Sequence, residues 1–137
     1  MTGVVIDAST ALAWCFPDES SDYADSVLVA LEGKTILVPA IWSLEIANAV
    51  LVGERKKRLR QPEILRFITL LENLSVLEDV QSVGDQVGNV LPLAREYSLS
   101  AYDAAYLELA IRHSVPLATL DGKLEKAAKQ AGVTLFS

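Results

Sequence analysis

The stretch Gly3-Val4-Val5-Ile6-Asp7-Ala8-Ser9 opens the chain with a β-branched run that ends on an acid. Consecutive bulky aliphatics without polar alternation read as a strand buried on both faces, the kind found in parallel sheets. Ile36-Leu37-Val38, closed by Pro39, has the same pattern, and Val76-Leu77 is a weaker version of it. Leu117-Ala118 between Pro116 and Thr119 fits a fourth strand, and Val133 to Phe136 after Gly132 a fifth. Helical spacing fills the intervals. Val27, Leu28 and Leu31 share a face of a helix running to about Gly33; Leu44, Ala47 and Leu51 line one from Ser43 to about Lys57; Ile64, Leu65, Ile68, Leu71 and Leu74 line a third. Val83 to Ala94 form a fourth, which Pro92 is expected to bend or divide. Ser100 opens a fifth, with Ala104, Leu107 and Ile111 in register, and the last runs from about Lys123 to Gly132. Alternation of strand and helix predicts an α/β fold, a parallel sheet with helices on both faces joined by right-handed crossovers.

The 137 residues are the length of one domain, and no linker, repeat or compositional break divides residues 1–137. Hydrophobic residues make up 51% and charged ones 22%, which excludes a disordered or low-complexity chain. The longest uncharged stretches, Ala8 to Pro17 and Thr35 to Leu44, are ten residues each and contain proline, too short to span a bilayer. With no membrane segment and no signal-peptide pattern, a cytoplasmic location is expected. One cysteine, Cys15, excludes an internal disulfide framework and a cysteine zinc site, and one histidine, His113, weakens any histidine-based metal site. The net charge of −6 opposes nonspecific adhesion to nucleic acid. The exception is local: Arg55, Lys56, Lys57, Arg58 and Arg60 form a dense basic run.

In a parallel sheet the ligand site lies beyond the carboxyl ends of the strands. Asp7 directly follows the first strand, Glu45 lies in the first turn of the helix after the second, and Asp121 comes just after the fourth. Asp103, in the first turn of the helix opened by Ser100, is a further candidate. Each acid has an ordinary explanation as a helix cap or dipole partner, and Ser100-x-x-Asp103 has the form of a capping box. Together they ask for more. Two bare carboxylates about 4 Å apart repel by about 4 kcal/mol at an effective dielectric of 20, so a cluster of four needs protons or a cation. Mg²⁺ or Mn²⁺ takes oxygen ligands and suits phosphodiester hydrolysis.

Four segments resemble the PIN-domain family, most closely VapC-type toxins of toxin–antitoxin pairs: Val4-Val5-Ile6-Asp7-Ala8-Ser9; Val38-Pro39-Ala40-Ile41-Trp42-Ser43-Leu44-Glu45-Ile46-Ala47-Asn48; Leu99-Ser100-Ala101-Tyr102-Asp103-Ala104-Ala105-Tyr106; and Leu117-Ala118-Thr119-Leu120-Asp121-Gly122. The resemblance covers essentially the whole chain. It implies a five-stranded parallel sheet of order 3-2-1-4-5 and a Mg²⁺- or Mn²⁺-dependent endoribonuclease acting on single-stranded or looped RNA. Asp7, Glu45, Asp103 and Asp121 become its metal-binding and catalytic acids, with Ser9, Asn48 and Thr119 in support. It further implies a homodimer and a complex with a VapB-like antitoxin protein.

The basic run from Arg55 to Arg60 is either an RNA-phosphate contact or a solvated helix end. Trp14, Phe16, Trp42, Tyr102 and Tyr106 read first as core, secondarily as base-stacking groups. Cys15 reads as a small buried apolar residue, and His113 as a helix-end residue. Two other functions compete: a PIN-like module that binds without catalysis, and a receiver-type phosphoacceptor domain. The receiver reading expects paired acids after the first strand, where this chain has Asp7-Ala8-Ser9.

Overall fold

A computed structural model describes residues 3–137. Strands β1 (Gly3–Ile6), β2 (Thr35–Pro39), β3 (Val76–Asp79) and β4 (Leu117–Ala118) form one parallel sheet in the order β3-β2-β1-β4. Val4, Val5 and Ile6 are wholly buried. Since successive side chains point to opposite faces, both faces of the sheet are covered at β1. The edge strand β3 is exposed over most of its length, matching its weaker hydrophobic signal.

Helices α1 (Ala8–Ala13), α2 (Asp22–Ala30), α3 (Ile41–Arg55), α4 (Gln61–Glu72), α5 (Val83–Tyr97), α6 (Ala101–His113) and α7 (Gly122–Gln130) connect the strands, with a short 3₁₀ turn at Pro17–Glu19. Helix α5 passes through Pro92 undivided. Helix α1 has no counterpart in the sequence pattern: six residues, half of them alanine, are too few to display a hydrophobic period. Among the described residues no helix is long and apolar enough to cross a membrane.

The expected fifth strand does not form, so the sheet is four-stranded rather than 3-2-1-4-5. Val133 to Phe136 contributes one parallel bridge, Leu117 to Leu135, in which Leu117 N–H donates to Thr134 O at 3.0 Å and Phe136 N–H donates to Leu117 O at 2.9 Å. The ladder stops there because β4 is two residues long and only Leu117 turns its backbone outward. Two residues earlier, the Val115 N–H is spent on Ala110 O at the end of α6, and two residues later the chain enters the turn into α7.

Phe16 and Trp42 join the core, while half-buried Trp14 donates its indole N–H to Ala24 O at 2.8 Å. One close approach fixes the far end of α3. A Cβ on Gly53 would lie 2.5 Å from ring atoms of the buried Phe16. Arg58 stacks over the other side of this corner, its guanidinium 4.3 Å from the Phe16 ring centroid, and pairs with Asp18 at 2.9 Å and Glu19 at 2.7 Å.

Candidate active site

Asp7 takes its position from the end of β1. As the extended residue before α1, it caps that helix, accepting from the Thr10 N–H at 3.2 Å. Ser9 Oγ lies 2.8 and 2.9 Å from its two carboxylate oxygens, Thr10 Oγ1 donates at 3.2 Å and Thr119 Oγ1 at 2.5 Å. The carboxylate is nevertheless only 5% exposed and has no cationic partner among the described residues. Burial pushes its pKa up, and the four hydrogen bonds oppose that shift without cancelling it.

The two hydroxyls tie Asp7 to the turn between β4 and α7. Leu120 N–H donates to Ser9 Oγ at 3.0 Å, and Asp121 N–H donates to Thr119 Oγ1 at 3.0 Å. Each hydroxyl therefore receives a backbone proton and passes its own to Asp7. Asp121 in turn caps α7, accepting from Lys123 N–H at 2.9 Å and Leu124 N–H at 3.4 Å.

Asp103 lies in the first turn of α6, where Ser100 is the cap and accepts from the Asp103 N–H at 3.1 Å. Its pKa is raised by burial and then by the charge of Asp121, against the weaker influence of Ser100 and Lys123. The acids of α6 and of the β4–α7 turn thus feel one another. Glu45, half-buried on the first turns of α3, accepts a hydrogen bond from the Tyr106 hydroxyl. Tyr106 is 1% exposed, and its pKa is driven upward by burial first and then by Glu45, Asp7 and Asp103. Thr119 joins Asp7 to the backbone of Asp121, Tyr106 joins Glu45 to α6, and Asp103 is coupled to Asp121 through charge alone.

Supporting residues divide. Ser9 and Thr119 hold Asp7, whereas Asn48 is exposed and makes no side-chain hydrogen bond among the described residues. Within the basic run, Arg58 is engaged with Asp18 and Glu19, and Arg60 lies 3.6 Å from Glu63 at the start of α4. Arg55, Lys56 and Lys57 are exposed and form no ion pair among the described residues. Cys15 is buried, its thiol pushed up to about 11 by burial and by Glu63 and Glu19, which suits packing and not nucleophilic attack. His113 ends α6 with its ring 3.3 Å from Asp79.

Thr10 and the hydroxyl of Tyr106 are the contributors that sequence reasoning missed. Tyr106 follows Asp103 at the i, i+3 spacing that places two residues on one helix face, so a signal for it was present.

The donor set is all oxygen, the chemistry of a hard divalent cation. A cation would relieve both the burial of Asp7 and the repulsion between Asp103 and Asp121. In the arrangement seen, no three or more His, Cys, Asp or Glu side chains among the described residues are grouped closely enough to hold one ion. The acids fit such a group in kind, and closing on it requires side-chain adjustment.

The PIN domain family matches residues 4–130. The chain is 31% identical over 122 residues to Ribonuclease VapC3 of Pyrobaculum aerophilum, covering 88% of this chain and 91% of the relative. The crystal structure of PAE2754 from the same organism superposes with a TM-score of 0.68 at 26% identity, covering 92% of this chain and 79% of the other. VapBC2 from Rickettsia felis, bound to a DNA fragment from their promoter, gives 0.69 at 14% identity with 98% and 97% coverage. FitAcB from Neisseria gonorrhoeae gives 0.60 at 18% identity with 98% and 96% coverage; these last two establish likeness of fold. With the family pattern spanning nearly the whole sequence and the fold matching, the chain belongs to the PIN-domain family.

Proposed function

We propose that the protein is a Mg²⁺- or Mn²⁺-dependent endoribonuclease, the toxin of a toxin–antitoxin pair acting in the cytoplasm. The observation that carries this reading is that Asp7 and Asp121 share Thr119 while Asp103 feels the charge of Asp121, and the buried Asp7 carboxylate has no ion-pair partner among the described residues. A 31% identical relative bearing the name ribonuclease supports it, and the family match sets the receiver reading aside.

Asp7, Glu45, Asp103 and Asp121 would hold the ion. When bound, such an ion stabilises charge on a phosphoryl oxygen and makes water a better nucleophile near neutral pH. The chain's own groups do the rest. Ser9, Thr10 and Thr119 keep Asp7 oriented, Asp103 and Asp121 would supply further negative charge for the cation, and a carboxylate of this set would accept the proton of the attacking water. His113 is held by Asp79 and takes no part. Arg55, Lys56 and Lys57 are the basic residues left to meet RNA phosphates.

An antitoxin partner fits the fold likeness to VapBC2 and FitAcB. A homodimer fits the apolar groove between α3, α5 and α6, where Leu44, Val87, Leu91 and Tyr102 are exposed. The function is tested by incubating structured and unstructured RNA with the purified protein, with and without Mg²⁺ or Mn²⁺. Cleavage that needs the metal and disappears in Asp7→Asn supports the reading; equal cleavage in EDTA defeats it. A folded protein that binds RNA and never cuts it would favour the non-catalytic module.

A further inference from the structure

We propose that Tyr106 is a positioning residue for Glu45, fixing that carboxylate for the divalent cation; the inference rests on the reading of the four acids given above. Three of the acids are aspartates whose places follow from the backbone: Asp7 and Asp121 cap helices, and Asp103 lies in the first turn of α6. Glu45 has no such anchor. It sits within α3 on a side chain with one more rotatable bond, so ordering it costs more rotamer freedom than ordering an aspartate.

Tyr106 supplies the missing restraint. Its ring is packed in the core, so the hydroxyl has little latitude and needs an acceptor. That acceptor is Glu45 Oε1, from an element far away in sequence. Glu45 Oε2 accepts no protein hydrogen bond among the described residues, so its acceptor capacity is unused. Tyr106 also stands one turn beyond Asp103 on α6, so one helix places two of the four acids, the first directly and the second through the phenol. Hydrogen-bonded partners of metal ligands commonly change metal affinity or activity by about 10- to 100-fold when removed.

The test is a double-mutant cycle read by Mn²⁺ binding in the absence of RNA, using calorimetric titration of wild type, Tyr106→Phe, Glu45→Gln and the double variant. Tyr106→Phe keeps the ring and removes only the hydroxyl, and its folding is checked by near-ultraviolet circular dichroism. The expected result is Mn²⁺ binding about 10-fold weaker in Tyr106→Phe, with no further loss when the same change is made in the Glu45→Gln background. Cleavage by Tyr106→Phe should then recover toward wild type as Mn²⁺ is raised. Equal weakening in both backgrounds, or wild-type affinity in Tyr106→Phe, overturns the positioning role alone. A wild-type protein that takes up no Mn²⁺ overturns the metal reading and this role with it.

Discussion

Asp79 and Glu108 carry the same functional group as Asp7 and Asp103, yet the protein treats the two sets in opposite ways. Arg112 reaches Asp79 at 2.5 Å and Glu108 at 2.8 Å, while Gln81 donates to Glu108 at 3.0 Å and is itself joined to Asn89. The Arg112 guanidinium, helped by His113, holds Asp79 below the usual carboxylate range. Asp7 accepts from hydroxyls and an amide, Asp103 has only Ser100 and the charge of Lys123 to oppose its burial, neither is paired with an arginine, and both shift upward. Acids that hold β3 against α6 come with their cation built in; acids at the end of β1 and the start of α6 are left with excess charge. Carboxylates whose pKa is raised in this way are the kind expected at a functional site.

The largest effect that would sharpen this contrast is on cleavage. Asp7→Asn and Asp103→Asn should each reduce metal-dependent RNA cleavage by more than about 100-fold, beyond the range for residues that only support a metal ligand, while circular dichroism shows a folded protein. Arg112→Ala should do the reverse. It strands the buried Glu108, and its expected cost of about 2 to 3 kcal/mol in denaturant unfolding is below the range for a wholly buried pair because Arg112 is one-third exposed. Cleavage per folded molecule should stay at the wild-type level.

A smaller effect concerns pH, and here the two sets have opposite signs. For Asp79 the folded-state pKa is lowered, so its contribution is present above the ordinary value of 3.8 and lost as pH falls through the lowered value. For Asp7 the folded-state pKa is raised, so metal-free protein loses stability as pH climbs from 3.8 through the raised value. Thermal unfolding across acidic pH should therefore show Asp79→Asn losing the first dependence and Asp7→Asn losing the second. The smallest change expected is in RNA binding: Lys56→Ala and Lys57→Ala should each flatten the salt dependence of affinity by about one unit of slope, whereas Arg58→Ala should leave that slope unchanged.

Much of this was legible in the sequence because it depended on local pattern. Val4 to Ile6 announced a strand buried on both faces, and the acids at strand ends and first helical turns followed from topology. What was not legible depended on distant partners. Nothing near Arg58 indicates that Asp18 and Glu19 will claim it, and nothing near Tyr106 identifies Glu45 as its acceptor. The missing fifth strand belongs to the same class: Val133 to Phe136 has strand-like residues, but the brevity of β4 decides how many of them can pair.

The contact between Gly53 and Phe16 has a consequence for Glu45, although the two residues lie at different ends of α3. A helix transmits displacement as a stiff beam, and Gly53 is where this one rests against its fulcrum. A methyl group there would meet the Phe16 ring at 2.5 Å, so either the ring or the helix has to shift. If the helix is what moves, the shift is expected to reach Glu45, more than two turns away, and Gly53→Ala is then expected to weaken a site that Gly53 never touches.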